Sequence, residues 1–197
     1  MLYFNHKWYK ENKMNENTCE YIIKQKAEGA ALAKKISLAL TYVAVAVLLS
    51  VIDLTFAPAS LKGIFFVIIL LLVAFAAFVT WRFVCIEYEV VIGGSEITFT
   101  LIYGKSISKK LLSRPLSAFS EMGEYDDIAF EEISKLSLQK DYLCVSSLSA
   151  PVIYYGIFED EGQRNIVYFD VTERAAELLR KSNPSAFRAS AKRMNKS

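Results

Sequence analysis

The sequence predicts an α+β membrane protein: a transmembrane helical hairpin, then a bent antiparallel β-sheet closed by one C-terminal helix. Three observations carry that prediction. Two apolar runs without a charged residue, 36–52 and 63–81, follow one another early in the chain. After Val84 the apolar spacing changes from continuous to alternating. Near the C-terminus Ala175, Ala176, Leu178 and Leu179 form a helical stripe.

Each apolar run is close to the roughly 20 residues a helix needs to cross the hydrocarbon core. The spans are placed at about 36–57 and 62–84, a hairpin over 36–84. The mean hydropathy of +0.26 is concentrated there, and the remainder has an ordinary globular balance. Ala57-Pro58-Ala59 resembles a cleavage site for small residues. The first run starts too late and runs too long for a signal peptide, so it reads as a span. Pro58 and Gly63 suit the reversal between the helices. Trp81 and Arg82 suit the interface at the end of the second run.

Lysines set the orientation. Lys7, Lys10, Lys13, Lys24, Lys26, Lys34 and Lys35 precede the first run, and only Lys62 lies in the segment 53–62 between the runs. Positive loops stay cytoplasmic, so the expected protein is multi-pass in the cell membrane with both termini cytoplasmic. Ala46/Ser50 and Ala76/Thr80 put small side chains on one helix face each, a pattern for pairing. Neither run has an ionisable residue at its centre, which favours an anchor over an ion pathway.

Residues 1–35 read as a cytoplasmic arm followed by a juxtamembrane helix. Residues 12–18 have little apolar content and read as loop. Tyr21, Ile22, Ile23, Ala27 and the alanines at 30, 31 and 33 continue as helix into the first span, with Gly29 as its weak point. The arm's lysines, interspersed with Tyr3, Phe4, Trp8 and Tyr9, read as topology signals rather than as a lipid site.

Residues 85–184 read as a cytoplasmic domain. Segments 85–92 and 96–103 flank Gly93-Gly94, a hairpin signal. Ile97, Phe99 and Leu101 alternate with Glu96, Thr98 and Thr100, which puts one face inward. A third strand is expected at 106–112, interrupted by Pro115, with a short strand or turn at 116–122. In the acidic region 121–132, Asp126 or Asp127 can cap a short helix through Ile128, Phe130 and Ile133. Strands are expected at 142–147, 151–158 and 165–170, the last two joined by a hairpin turn at Glu159-Asp160-Glu161-Gly162. Asp170 or Thr172 can cap the final helix, and Pro184 ends it. Residues 185–197, with Arg188, Lys192, Arg193 and Lys196, read as a basic disordered tail.

This order resembles an uncharacterised family of small bacterial membrane proteins with two spans and a C-terminal PH-like domain. The resemblance is carried by Glu20-Tyr21-Ile22-Ile23-Lys24-Gln25-Lys26 before the first span and Ile86-Glu87-Tyr88-Glu89 after the second. Ile107-Ser108-Lys109-Lys110-Leu111-Leu112, Leu116-Ser117-Ala118-Phe119 and the closing strand and helix at 167–179 add to it. The resemblance implies a PH-like antiparallel barrel or sandwich capped by the C-terminal helix, and binding through its open end or a groove beside the helix. It supplies no catalytic residues.

The composition argues against several chemistries. His6 is the only histidine and lies in the arm, a poor place for a catalytic triad. No phosphate-binding glycine loop is present. Cys19, Cys85 and Cys144 lack metal or disulfide spacing and read as buried or membrane-edge thiols. The acidic region lacks calcium-loop ligand order and reads as a solvated face. A net charge of +2 gives no case for nucleic acid. The expectation is a non-catalytic interaction module without cofactor or metal, its partners being the lipid bilayer and a protein at the membrane. Lys105, Lys109, Lys110 and Arg114 are the candidate contacts to lipid or partner. The alternative is an accessory subunit assembled through the hairpin.

Overall fold

A computed structural model gives the protein's architecture. It describes residues 9–15, 17–58, 60–147, 150 and 152–188. Tyr3, Phe4, His6, Trp8, Ala59, Pro151, Lys192, Arg193 and Lys196 lie outside the described residues. The chain divides into two units: Lys26–Ile86 with Tyr103–Ile107, and Met1–Gln25 with Glu87–Ile102 and Ser108–Ser197.

The first unit is built on helices α1 (Gly29–Phe56) and α2 (Lys62–Trp81), followed by a 3₁₀ turn at Arg82–Val84. With 28 and 20 residues they rise about 42 and 30 Å at 1.5 Å per residue, enough for a bilayer core. Gly29, at φ +51°, starts α1 from a conformation that favours glycine. Val43, Leu48, Leu72 and Phe78 are among many large apolar side chains left exposed on these two helices. The covered stripes are Leu38, Tyr42, Ala46, Leu49 and Ser50 on α1, and Ile69, Val73, Ala77 and Thr80 on α2. Their spacing defines one face per helix. The Tyr42 hydroxyl bonds the Thr80 hydroxyl across the pair. Ala77, not Ala76, lies on the covered face: Ala76 is exposed, and its carbonyl accepts from Thr80 Oγ1 at 2.6 Å. Asp53, expected in the connecting segment, lies in the last turns of α1 and is buried.

The second unit contains two five-stranded sheets. The first orders β1 (Tyr9–Asn15), β2 (Thr18–Lys24), β3 (Ile86–Gly93), β4 (Glu96–Tyr103) and β5 (Ile107–Pro115) in sequence. The second orders β10 (Phe187–Arg188), β6 (Phe119–Glu124), β8 (Tyr154–Asp160), β9 (Gln163–Phe169) and β7 (Lys140–Cys144). Helices α3 (Asp127–Ile133) and α4 (Glu173–Ser182) complete it.

The arm is the main correction. Residues 9–24, read as loop and juxtamembrane helix, form β1 and β2. β2 pairs antiparallel with β3, Tyr21 opposite Val90 and Lys24 opposite Glu87. The physical reason is alternation: Cys19, Tyr21 and Ile23 are buried while Glu20, Ile22 and Lys24 are not. The apolar Ile22 on the outer face hides that period in the sequence. In chain order, therefore, the helical hairpin is inserted between two neighbouring strands of one sheet.

Two further differences concern the second sheet. It is not wholly antiparallel: β7 runs parallel to β9, and β10 parallel to β6. Residues 185–188 are not a disordered tail, because Ala186 is buried and Phe187–Arg188 form β10. Strand limits also shift. β5 continues to Pro115, which sits at the strand end where a missing N–H costs little. Leu116–Ala118 is a 3₁₀ turn leading into β6.

The expected caps and turn are present. Ala129 N donates to Asp126 Oδ1 at 2.9 Å, which starts α3. Glu161 and Gly162 both have positive φ, 51° and 76°, as a two-residue hairpin turn of this hand requires. Thr172 caps α4 by accepting from Ala175 N. Asp170 instead accepts from Ser146 N at 2.9 Å and, through its carbonyl, from Tyr21 Oη at 3.0 Å.

The main core lies between the inner faces of the two sheets. Tyr21, Ile23, Val90, Ile92, Ile97 and Phe99 come from the first, and Phe119, Met122, Phe158, Val167 and Phe169 from the second. Phe99 meets Phe169 edge-on with centroids 5.2 Å apart. Ala175 and Leu179 of α4 join this core. A smaller cluster on the other face of the second sheet holds Ala129, Ile133, Tyr155, Ile157 and Ile166 under α3.

Candidate functional site

The four cations singled out by sequence do not form one cluster. Lys105 lies in the turn Tyr103–Ile107, which belongs to the unit of the helical hairpin. Gly104 holds that turn: its N–H donates to Cys85 O at 2.8 Å, and a Cβ there would fall 2.3 Å from Arg82 Cβ. Lys109 and Lys110 are exposed on β5. As neighbours in a strand they point to opposite faces and cannot converge on one ligand. Arg114 is already engaged: it bonds Asp160 and lies over the Phe158 ring, 5.9 Å from its centroid.

The structure brings together a different set of residues at one end of the second sheet. Tyr125, Leu143, Val145, Ile153 and Tyr168 line an apolar cavity of about 250 Å³. Tyr125 follows β6 and Ile153 precedes β8, and Tyr125 N donates to Ile153 O at 2.7 Å. Tyr168 stands on β9 and Leu143 on β7, so the groove crosses the ends of four strands. Tyr125 meets Tyr168 edge-on with centroids 5.1 Å apart, and Tyr155 and Phe130 at 6.4 Å. Burial, with Tyr125 and Asp141 nearby, pushes the Tyr168 phenol up to about 12, so it stays a neutral hydrogen-bonding group. Leu143, Phe130 and Ile128 are exposed beside this aromatic cluster. Glu124, Asp126 and Asp127 flank Tyr125 in the chain, and none is buried.

The C-terminal segment is clasped to the same sheet. Asn183 Nδ2 donates to Leu116 O at 2.8 Å and Phe119 O at 3.2 Å. Met122 N donates to Ala186 O at 2.8 Å. Phe187 lies under Arg180, 5.1 Å from its guanidinium carbon. Arg188 donates to both oxygens of Glu132 on α3 and to Glu121 on β6. The Tyr155 hydroxyl donates to the same Glu121, and burial raises its phenol above the ordinary value. Glu132 is in turn held below the usual carboxylate value by its bond to Arg188. Two members of the acidic region thus serve an ion-pair clasp. Among the described residues no group of acids, cysteines and histidines is arranged to hold a metal ion.

Two of the three thiols are closed off from solvent. Cys19 and Cys144 are buried, and Cys85 is half-buried. Burial pushes the Cys144 thiol up to about 12, far from the thiolate form.

The split sheet, the second mixed sheet and the capping α4 agree with a comparison against protein-family models. The model for the bacterial PH-like domain (DUF6106) matches residues 15–189. The chain belongs to this PH-like family. No curated protein and no solved structure matches the chain. The PH-like match includes β2 before the helices and extends past β10, so both flanking segments belong to the family's pattern. Membership brings a fold and no activity. Sequence reasoning missed the groove and the clasp of this PH-like unit. One usable signal was the Tyr125, Tyr155 and Tyr168 set, three tyrosines at the ends of alternating segments.

Proposed function

We propose that the chain is a non-catalytic, membrane-anchored interaction module whose PH-like unit holds a protein partner. The observation that carries this reading is the aromatic groove at the end of the second sheet. Its lining is apolar, Leu143 opens it to solvent, and acids surround Tyr125. Such a groove suits a partner segment with an apolar anchor flanked by cations. The helical hairpin serves as the anchor. Both of its ends leave from paired strands, Lys24 opposite Glu87, which supports one side of the bilayer for the N-terminal strands and the rest of the PH-like unit. The lysine-rich flanks favour the cytoplasmic side.

A second reading, contact with the anionic bilayer surface, is favoured by Lys105. Its turn belongs to the hairpin unit, where Tyr103 lies 6.1 Å from Phe83. The test is affinity capture with the full-length protein in neutral detergent, beside Leu143→Asp and a triple Lys105, Lys109, Lys110→Ala variant. Loss of a specific partner with Leu143→Asp alone supports the groove. Unchanged capture in Leu143→Asp overturns it. Loss of sedimentation with phosphatidylserine vesicles in the triple variant supports the surface reading, and capture lost only after substitutions at Tyr42 and Thr80 supports the accessory subunit. The full chain is needed because residues 86–197 alone lack β2.

A further inference from the structure

We propose that the groove is occupied, in the resting protein, by the chain's own residues 189–197, which compete with the partner. This deepens the groove reading above and rests on it. Three observations argue for that occupant.

The first is direction. β10 runs parallel to β6, with Phe187 opposite Met122 and Arg188 opposite Gly123. The chain therefore leaves Arg188 heading for the end of β6 where Tyr125 begins the groove, two residues further on.

The second is reach. From Arg188 on β10 across β6, β8 and β9 to Leu143 on β7 is four strand spacings, about 19 Å at 4.8 Å each. Met194 is six residues beyond Arg188, about 20 Å of extended chain. It is the one large apolar side chain in Ala-Ser-Ala-Lys-Arg-Met-Asn-Lys-Ser, and it can reach Leu143 at the far side. A thioether adapts well to a cavity lined by aromatic rings.

The third is charge. Lys192, Arg193 and Lys196 surround Met194, and Glu124, Asp126 and Asp127 surround Tyr125, with Asp141 acting on Tyr168. Arg188 already pairs with Glu121 and Glu132 on the same acidic face, so the segment starts in register with its complement.

The test is tryptic cleavage after Lys192 and Arg193 in the full-length protein in neutral-detergent micelles, where no bilayer can shield the segment. Two variants are compared with wild type: Met194→Ser, outside the described fold, and Leu143→Asp, at a half-exposed site. Neither substitution removes a cleavage site. Seating predicts roughly ten-fold faster cleavage in both, as loss of one apolar anchor shifts the open population. It also predicts stronger partner capture by Met194→Ser. Equal cleavage rates in all three proteins overturn the seating. If cleavage is unchanged while Leu143→Asp still loses the partner, the groove remains a partner site and only the internal occupant is wrong.

Discussion

Ile23→Ala is the most informative single change, because it tests whether a strand before the helical hairpin completes the PH-like core. Ile23 is fully buried between the two sheets, in β2, next to Tyr21. The change removes three carbons, worth about 0.8 kcal/mol each in transfer, and leaves a cavity. Together these give a loss of about 3–4 kcal/mol. In a unit of this size that lowers the melting temperature by roughly 10 °C or more. Ile22→Ala removes the same atoms one residue away, but Ile22 faces outward and is only partly covered. Its expected cost is below about 1 kcal/mol. The assay is urea unfolding of the full-length protein in micelles, followed by tyrosine near-ultraviolet circular dichroism. A strand requires the cost to alternate, Tyr21 and Ile23 sensitive, Glu20 and Ile22 tolerant. Equal and small effects at Ile22 and Ile23 would refute the strand and restore the juxtamembrane helix.

Three other changes follow from the geometry. Tyr21→Phe removes the hydroxyl that donates to Asp170 O and is expected to cost about 1–2 kcal/mol in the same unfolding assay. Gly104→Ala is expected to destabilise by more than 2 kcal/mol, since φ is +53° and the new methyl meets Arg82; Gly94→Ala, at φ +59° in open space, is expected to cost about 1 kcal/mol. Thermal unfolding of the two variants side by side measures the difference. The Arg188 clasp is expected to depend on pH. Glu132 has a lowered folded-state value, so its contribution is complete above the unfolded glutamate value of about 4.3 and is lost as pH falls through the folded value. The amide resonance of Gly123, opposite Arg188, should shift over that acid range in wild type and lose the transition in Arg188→Ala.

Parts of this structure are legible in the sequence because their causes are local. The helices follow from uninterrupted apolar runs, α3 from the Asp126-Asp127 pair ahead of an apolar turn, and the β8–β9 turn from the glycine that ends Glu159-Asp160-Glu161-Gly162. What was missed depends on partners distant in the chain. β2 finds its neighbour β3 only across the hairpin, and outward Ile22 masks its alternation beside the alanines that open α1. β10 is two residues long, follows Pro184 and is held by Asn183 and Arg188 through groups on β6, α3 and the turn before β6. The engagement of Arg114 was hidden for a related reason: it bonds Asp160 and lies over Phe158, 46 and 44 residues away. The groove draws its residues from the ends of four strands, a set that no spacing announces.

The insertion of the helical hairpin between β2 and β3 underlies both the anchoring and the one-sided topology proposed above. Ile22 and Glu89 are cross-strand partners with side chains on the outer face of the first sheet. Facing Cβ atoms in such a pair lie about 4.5–5.5 Å apart. The deciding measurement is thiol cross-linking, with a short bifunctional reagent, of Ile22→Cys with Glu89→Cys in the full-length protein in native membranes, after Cys85→Ser. The account predicts efficient intramolecular cross-linking, and none for Ile22→Cys with Ser113→Cys on β5, two strands beyond β3. Failure of the Ile22–Glu89 pair in otherwise folded protein would contradict it.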